Sequence, residues 1–427
     1  MKAQVKPAIA TLLSEKTRNL TYALYVFLII GLVLHAPLVT FFEANVSAGP
    51  VLRAWKEIVA TVVLLALLPR FFKQKLYKDR LVRFVALYGL FSLLITALVS
   101  DALSLPAIAG FRVNIFPFAL LIIGRLLPLK EKKLQDLLII SGLIVAGAMF
   151  VQYLLPSLFN FSVLADNAEH ITTLKGSNVR RLYGTIYGPL QSSSFLILSL
   201  AASVFSTRRP LSKVFLASVF ILGVLSTQSR AAMIAVAVVL IVKLYISHKI
   251  FFTTGRIAIV AGASFVALSV FVFASLSYAP LSSLVFHAKP EDALKKSSTI
   301  DHVRYPILGV KSMIEKPLGQ GLGAVGPASY FSGTVVPIEN NFIQIGVEVG
   351  FLGLLLFIAC WCLLAKELYL VKSNWLLAAM AGLSLMAMLL HTLTDTATIW
   401  VFLLACGAAL GVYPNNIENA ERKVTSN

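Results

Sequence analysis

The stretch Val335–Gly353, VVPIENNFIQIGVEVGFLG, places Glu339, Asn340 and Asn341 at the edge of an apolar run that carries a second carboxylate, Glu348. What such an edge can do depends on the solvent around it. Of 427 residues, 58% are hydrophobic and 13% charged, and the mean hydropathy is +0.85. A water-soluble domain does not carry that excess, so the composition indicates a polytopic membrane protein. Runs able to cross about 30 Å of hydrocarbon recur along the chain. Twelve are expected, over 21–41, 55–69, 84–100, 107–127, 137–155, 189–206, 214–228, 231–247, 257–278, 342–365, 375–393 and 396–413. The fold class is therefore an all-α integral membrane protein, a single polytopic domain over 1–427.

A formal charge of +18 would suggest nucleic acid in a soluble protein. Here the charges follow topology instead. Basic residues fill the first tail (Lys2, Lys6, Lys16, Arg18) and the even-numbered connections. These include Arg70 to Arg83, Arg125 to Lys133, Arg208 to Lys213, Lys243 to Arg256, and Lys366 with Lys372. The intervening loop Ser100 to Pro106 has neither Lys nor Arg. The positive-inside rule puts both termini in the cytoplasm and leaves no case for a nucleic-acid partner; the lipid bilayer is the surrounding partner. The first run exceeds a signal-peptide core and lacks a clear cleavage site, so it reads as retained. Cys360, Cys362 and Cys406 all fall inside expected spans, which suggests neither a disulfide framework nor a zinc site.

Two outward connections are long: 156–188 between spans five and six, and 278–341 between spans nine and ten. Long ordered loops in a compact protein tend to be functional. The second is partly helical, because in DHVRYPILGVKSMIEKPLG the residues Val303, Ile307, Val310 and Ile314 recur at helical spacing. A helix along the membrane surface would explain that pattern. Arginines stand in these outer regions against the positive-inside expectation: Arg180 and Arg181 in NVRRLYGTIYGP, Arg230 in STQSRAAM, Arg304 in TIDHVRYP. An arginine near hydrocarbon costs several kcal/mol unless paired or hydrated. Its fork matches phosphate oxygens and keeps its charge. Convergence of these four would make an anionic phosphate site; the competing reading is that they reach lipid headgroups.

Glu339 has two readings as well, a general base in a partly desolvated pocket or a surface acid beside the helix-capping Asn340 and Asn341. Glu348, inside the following helix, reads as an interhelical hydrogen-bond partner. His391 in LLHTLTDTATIW, a turn before Asp395, is a supporting candidate. GLGAVG, Gly321 to Gly326, has the letters of a dinucleotide fingerprint without a strand–turn–helix unit around it; a glycine-rich turn for close packing suffices.

The series RRLYG, STQSRAA, DHVRYPILGVKSMIEKPLGQGLG and ENNFIQIGVEVGFLG resembles the bacterial O-antigen ligase and polysaccharide polymerase superfamily, over about Arg180 to Gly353. The resemblance implies glycosyl transfer on the periplasmic side of the inner membrane, from a glycan carried on undecaprenyl pyrophosphate. The acceptor would be another lipid-linked glycan for a polymerase, or lipid A-core for a ligase. Arg230 and Arg304 match the family's pyrophosphate-binding arginines, and Arg181 or Arg180 a further basic position. Glu339-Asn340 stands where ligases show His-Asn, which points toward a polymerase-like member. On this reading Glu339 would be the catalytic base, with fixed guanidinium groups supplying the positive charge in place of a metal and with no cofactor; Asn340, Asn341 and His391 are its supporting candidates. Twelve spans with both ends inside also describe a secondary transporter or a lipid-linked oligosaccharide flippase. The short STRRPLSK connection between spans six and seven speaks against the common transporter layout.

Overall fold

In the computed structural model the described residues are 19–45, 53–159, 180–248, 298–333 and 338–412. The expected ninth span, 257–278, and parts of both long outer connections lie outside them. Every regular element among the described residues is helical. In chain order these are α1 Asn19–Val33, α2 from His35, α3 Trp55–Lys73, α4 Arg80–Val99, α5 Leu105–Asn114, α6 Pro117–Leu126 and α7 Glu131–Leu154. There follow α8 Pro189–Phe205, α9 Pro210–Ser226, α10 Arg230–His248, α11 Ser298–Glu315, α12 Asn341–Leu370, α13 Asn374–Leu389 and α14 Thr396–Val412.

Among the described residues five helical spans are long and apolar enough to cross a membrane, with α5 and α6 counted together as one, six if α1 and α2 also count as one bent span, and four apolar helices are shorter. Several expected spans are broken. The first bends by 71° between Val33 and His35, where Pro37 cannot donate to the preceding turn. The run 107–127 is two helices, α5 and α6, interrupted at Ile115 and Phe116 just before Pro117. In α12, Gly350 has φ +73° and ψ −180°, so the helix is two segments joined at a kink.

The faces are sorted as a lipid solvent requires. On α4, Tyr88, Ser92 and Thr96 are buried while Leu87, Leu90, Leu94 and Leu98 are exposed. The buried hydroxyls are satisfied along the helix: Ser92 Oγ donates to the Tyr88 carbonyl and Thr96 Oγ1 to the Ser92 carbonyl, both at 2.7 Å. α8 likewise turns Ser192, Ser193, Ser194, Ser199 and Ser203 inward. Polar atoms inside and leucines outside invert the pattern of a soluble bundle. α6 and α14 approach closely because Gly124 faces the Leu404 carbonyl and Gly407 the Leu121 carbonyl, where any Cβ would collide.

Contacts gather one set of loops at one end. Arg125 Nη2 pairs with Asp79 at 2.8 Å, and its Nη1 lies 3.1 Å from Glu367. Arg208 pairs with Asp136 at 2.7 Å, and Ser373 Oγ donates to Glu131 at 3.2 Å. The opposite end carries the candidate site.

α11 packs on the first segment of α12, with Gly309 against Ile343 and Ile338, and Gly346 against Met313. Its apolar stripe, Ile307, Val310 and Ile314, is exposed. The periodic residues thus face the surroundings, and the packed face is built from Gly309 and Met313. After α11 the glycine-rich loop tucks into the bundle. Gly321 N donates to the Glu348 carbonyl at 2.8 Å and Gln320 N to the Val347 carbonyl at 2.9 Å. Gly323, at φ +78°, lies so close to the Pro106 carbonyl that no side chain fits. Glu348 is fully buried. It accepts from Asn114 Nδ2 at 2.7 Å, Gly323 N at 3.1 Å and, weakly, Gln344 Nε2 at 3.4 Å, tying three segments together.

Candidate functional site

The site begins with the segment 180–188. Arg181 Nε donates to the Thr227 carbonyl at 2.9 Å and Leu182 N to the Ser226 carbonyl at 3.1 Å, so this strand of chain lies against the end of α9. Two successive amides, Tyr183 N and Gly184 N, donate to Gln152 Oε1 of α7 at 2.9 and 3.0 Å. The Tyr183 hydroxyl donates to the Phe159 carbonyl. A segment held at five points fixes the position of its arginine.

The turn Thr227–Ser229, with Gln228 in the left-handed region at φ +55°, reverses the chain from α9 into α10 and sets Arg230 at the first position of α10. Arg230 lies within electrostatic reach of Arg181. Burial first, and then this second guanidinium, hold Arg181 below the usual arginine range. Two cations this near each other need an anion between them or close by. Glu339 is within electrostatic reach of Arg230.

Glu339 is positioned by its neighbours in sequence. Ile338 is buried. Asn340 caps α12, accepting from Ile343 N at 3.0 Å, while its Nδ2 donates to the Met388 carbonyl at 2.6 Å. Asn341 Oδ1 accepts from Leu393 N at 2.7 Å. The two amides strap the start of α12 to the turn between α13 and α14, which carries His391. His391 is held below the usual histidine range by burial, opposed by the Glu339 carboxylate. Asp395 caps α14, accepting from Thr398 N at 3.2 Å and Ala397 N at 3.3 Å; burial pushes it up to about 6.

Arg181 thus neighbours Arg230, and Glu339 lies within electrostatic reach of Arg230 and of His391, with Asn340 and Asn341 as the scaffold of Glu339. Arg180 and Arg304 do not join them: Arg180 is exposed beside Arg181, and Arg304 is exposed on α11. Chemically the four offer fixed positive charge beside a carboxylate in a half-buried setting, which suits a phosphate-bearing leaving group and a proton acceptor. Among the described residues no group of three or more His, Cys, Asp or Glu is placed to hold a metal ion.

The sequence reading missed a second polar cluster built from His35, Lys56, Glu57, Arg112 and Tyr187. Its signal was present, since Lys56, Glu57 and Arg112 are ionisable residues inside expected spans, which are costly in hydrocarbon and so worth explaining.

Among curated proteins none matches the chain. Residues 214–358, about a third of the chain and the part that carries Arg230 and Glu339, match the family model described as O-antigen ligase, in agreement with the resemblance carried by the sequence motifs.

Proposed function

We propose that this protein transfers a glycan from undecaprenyl pyrophosphate on the periplasmic face of the bacterial inner membrane, as a metal-independent, inverting glycosyltransferase of the polymerase type. The observation that carries this reading is the meeting of Arg181, Arg230 and Glu339 at one end of the bundle, two of them inside the O-antigen ligase match. In the step proposed, an acceptor sugar hydroxyl attacks the anomeric carbon of the donor and its proton passes to Glu339. The anomeric C–O bond to the pyrophosphate breaks on the opposite face. Arg181 and Arg230 take up the charge that develops on the departing pyrophosphate. His391 and the two asparagines keep Glu339 in place. Arg180 and Arg304, both exposed, are proposed to meet the outer phosphate of the donor or its lipid surroundings. The catalytic parts belong to one polytopic domain, 1–427, with the outer connections 156–188 and 278–341 supplying the substrate face.

The family model's description favours a second reading, a ligase with lipid A-core as acceptor. One experiment separates the two. Purified protein is given an undecaprenyl-pyrophosphate oligosaccharide alone or with lipid A-core, and the products are sized. Growth from the donor alone means polymerase; one glycan block on lipid A-core means ligase. No transfer in either arm returns the flippase or transporter reading. Glu339→Gln is expected to keep fold and donor binding and to lose transfer; full activity in that variant overturns the base assignment.

A further inference from the structure

The second polar cluster is built from four elements. His35 opens α2; Lys56 and Glu57 stand in the first turn of α3; Arg112 lies on α5; Tyr187 follows Arg181 by six residues in the same clamped segment. Pairwise contacts link them. The rings of His35 and Tyr187 meet edge to face at 5.2 Å. Lys56 Nζ lies 2.9 Å from His35 Nε2, and Arg112 Nε donates to Glu57 Oε1. Tyr187 also senses Glu43, Arg53 and Arg112 electrostatically.

Hydrogen-bond accounting sets the cluster's charge. The Trp55 indole N–H can only donate, and it donates to His35 Nδ1 at 2.9 Å. The proton of the neutral ring is therefore on Nε2, which donates to Lys56 Nζ. An ammonium cannot accept, so in this arrangement Lys56 is a neutral amine; it donates in turn to the Arg53 carbonyl at 3.0 Å and lies 3.8 Å from Glu57 Oε1. What remains is Arg53 paired with Glu43 at 2.5 Å and Arg112 paired with Glu57. The cluster is charge-balanced.

It is also incompletely bonded. Glu57 Oε2 is a buried acceptor with no hydrogen-bond partner. Among the described residues no hydrogen bond engages the Arg112 Nη atoms or the Tyr187 hydroxyl, and the Arg112 side chain is 37% exposed. A spare acceptor, a two-pronged donor and a hydroxyl in a neutral setting match vicinal sugar hydroxyls, each of which donates and accepts. A phosphate would meet Glu57. We propose that Glu57, Arg112 and Tyr187 form a carbohydrate-binding site for an uncharged sugar ring. Resting on the transfer reading above, it is the subsite of the acceptor glycan.

The test uses the full chain in detergent, with saturation-transfer NMR against free hexoses, heptoses and N-acetylhexosamines, and inorganic pyrophosphate binding measured beside it. Tyr187→Phe removes a hydroxyl with no protein partner, so the fold is unaffected; sugar affinity is expected to fall about threefold to tenfold, the worth of one hydrogen bond. The double variant Arg112→Gln with Glu57→Gln leaves no orphaned charge and is expected to lose sugar binding while pyrophosphate binding persists. Absence of sugar binding in the unaltered protein, equal binding in all variants, or displacement of the sugar by pyrophosphate overturns the proposal. Sugar binding that the variants abolish, in a protein that performs no transfer, keeps the carbohydrate site and removes the transfer reading.

Discussion

Replacing Glu348 by Leu removes the acceptor that holds the glycine-rich loop, and the cost follows from its partners. Glu348 is fully buried. Two well-formed donors, Asn114 Nδ2 at 2.7 Å and Gly323 N at 3.1 Å, lose their only acceptor on this side chain, and the 3.4 Å contact from Gln344 adds less. A buried donor left without a partner costs about 1–3 kcal/mol. With shared partners the terms do not add in full, and the expected loss is about 3–5 kcal/mol. The backbone bonds from Gly321 and Gln320 to residues 347 and 348 survive the change, so the loop loosens without leaving. Glu348→Gln should cost only about 1 kcal/mol, because its remaining oxygen still accepts from Gly323 and the Asn114 amide can turn over to meet the new NH₂. Chemical denaturation in micelles orders the variants, and limited proteolysis at 319–326 reports the loop. Stability unchanged in Glu348→Leu would refute the clasp. Equal damage in the two variants would refute the hydrogen-bond account, since the negative charge would then be what matters.

Arg181→Gln and Arg230→Gln each remove one proposed charge-assisted contact to the leaving group, worth about 1.5–3 kcal/mol, and should weaken pyrophosphate binding roughly tenfold to a hundredfold; unchanged binding in titration calorimetry would remove them from the proposed site. Arg125→Ala strands Asp79 and Glu367 at the opposite end and should destabilise the protein by about 3–5 kcal/mol without altering pyrophosphate affinity, a separation that thermal stability and calorimetry together read. Asp395 has its folded value raised from 3.8 to about 6, so the folded state holds its proton more tightly than the unfolded chain. Its contribution is fully favourable below about pH 4 and is lost as pH rises toward 6. Asp395→Asn should flatten the stability profile in that window, and an unchanged slope would count against the shift.

Hydropathy made the helical spans legible, because burial in lipid demands long apolar runs whatever their internal geometry. It could not show the breaks at Leu34, at Ile115–Phe116 and at Gly350. A run of apolar letters is the same whether or not one residue leaves helical φ/ψ; Pro37 and Pro117 were the available signals. Motif order singled out Arg181, Arg230 and Glu339 but could not show their proximity, nor the exposure of Arg304. Helical spacing in 303–314 identified a stripe, yet spacing does not say whether a stripe faces protein or lipid. Small Gly309 and adaptable Met313 took the packed face and turned the stripe of Ile307, Val310 and Ile314 outward. Arg112, Lys56 and Glu57 escaped notice because charge was weighed by loop, where it reports sidedness, and not within spans.

The segment 180–188 connects the two polar clusters and explains why both are useful together. Arg181 stands near its start and Tyr187 near its end, and bonds to Gln152, Phe159, Ser226 and Thr227 clamp its first half. Ser192 Oγ, donating to the Tyr183 carbonyl at 2.5 Å, ties it to α8. A phosphate seated at the cationic pair and a sugar seated at the neutral cluster would thus be held a fixed distance apart by one short, immobilised stretch of chain. Fixing two reactants in this way converts a bimolecular encounter into a unimolecular one, an advantage that needs no covalent chemistry. On the proposed reading the difference in charge would keep them apart as well: the guanidiniums of Arg181 and Arg230 would draw the pyrophosphate, while the balanced pairs Arg53–Glu43 and Arg112–Glu57 would give it no reason to bind at the proposed acceptor site.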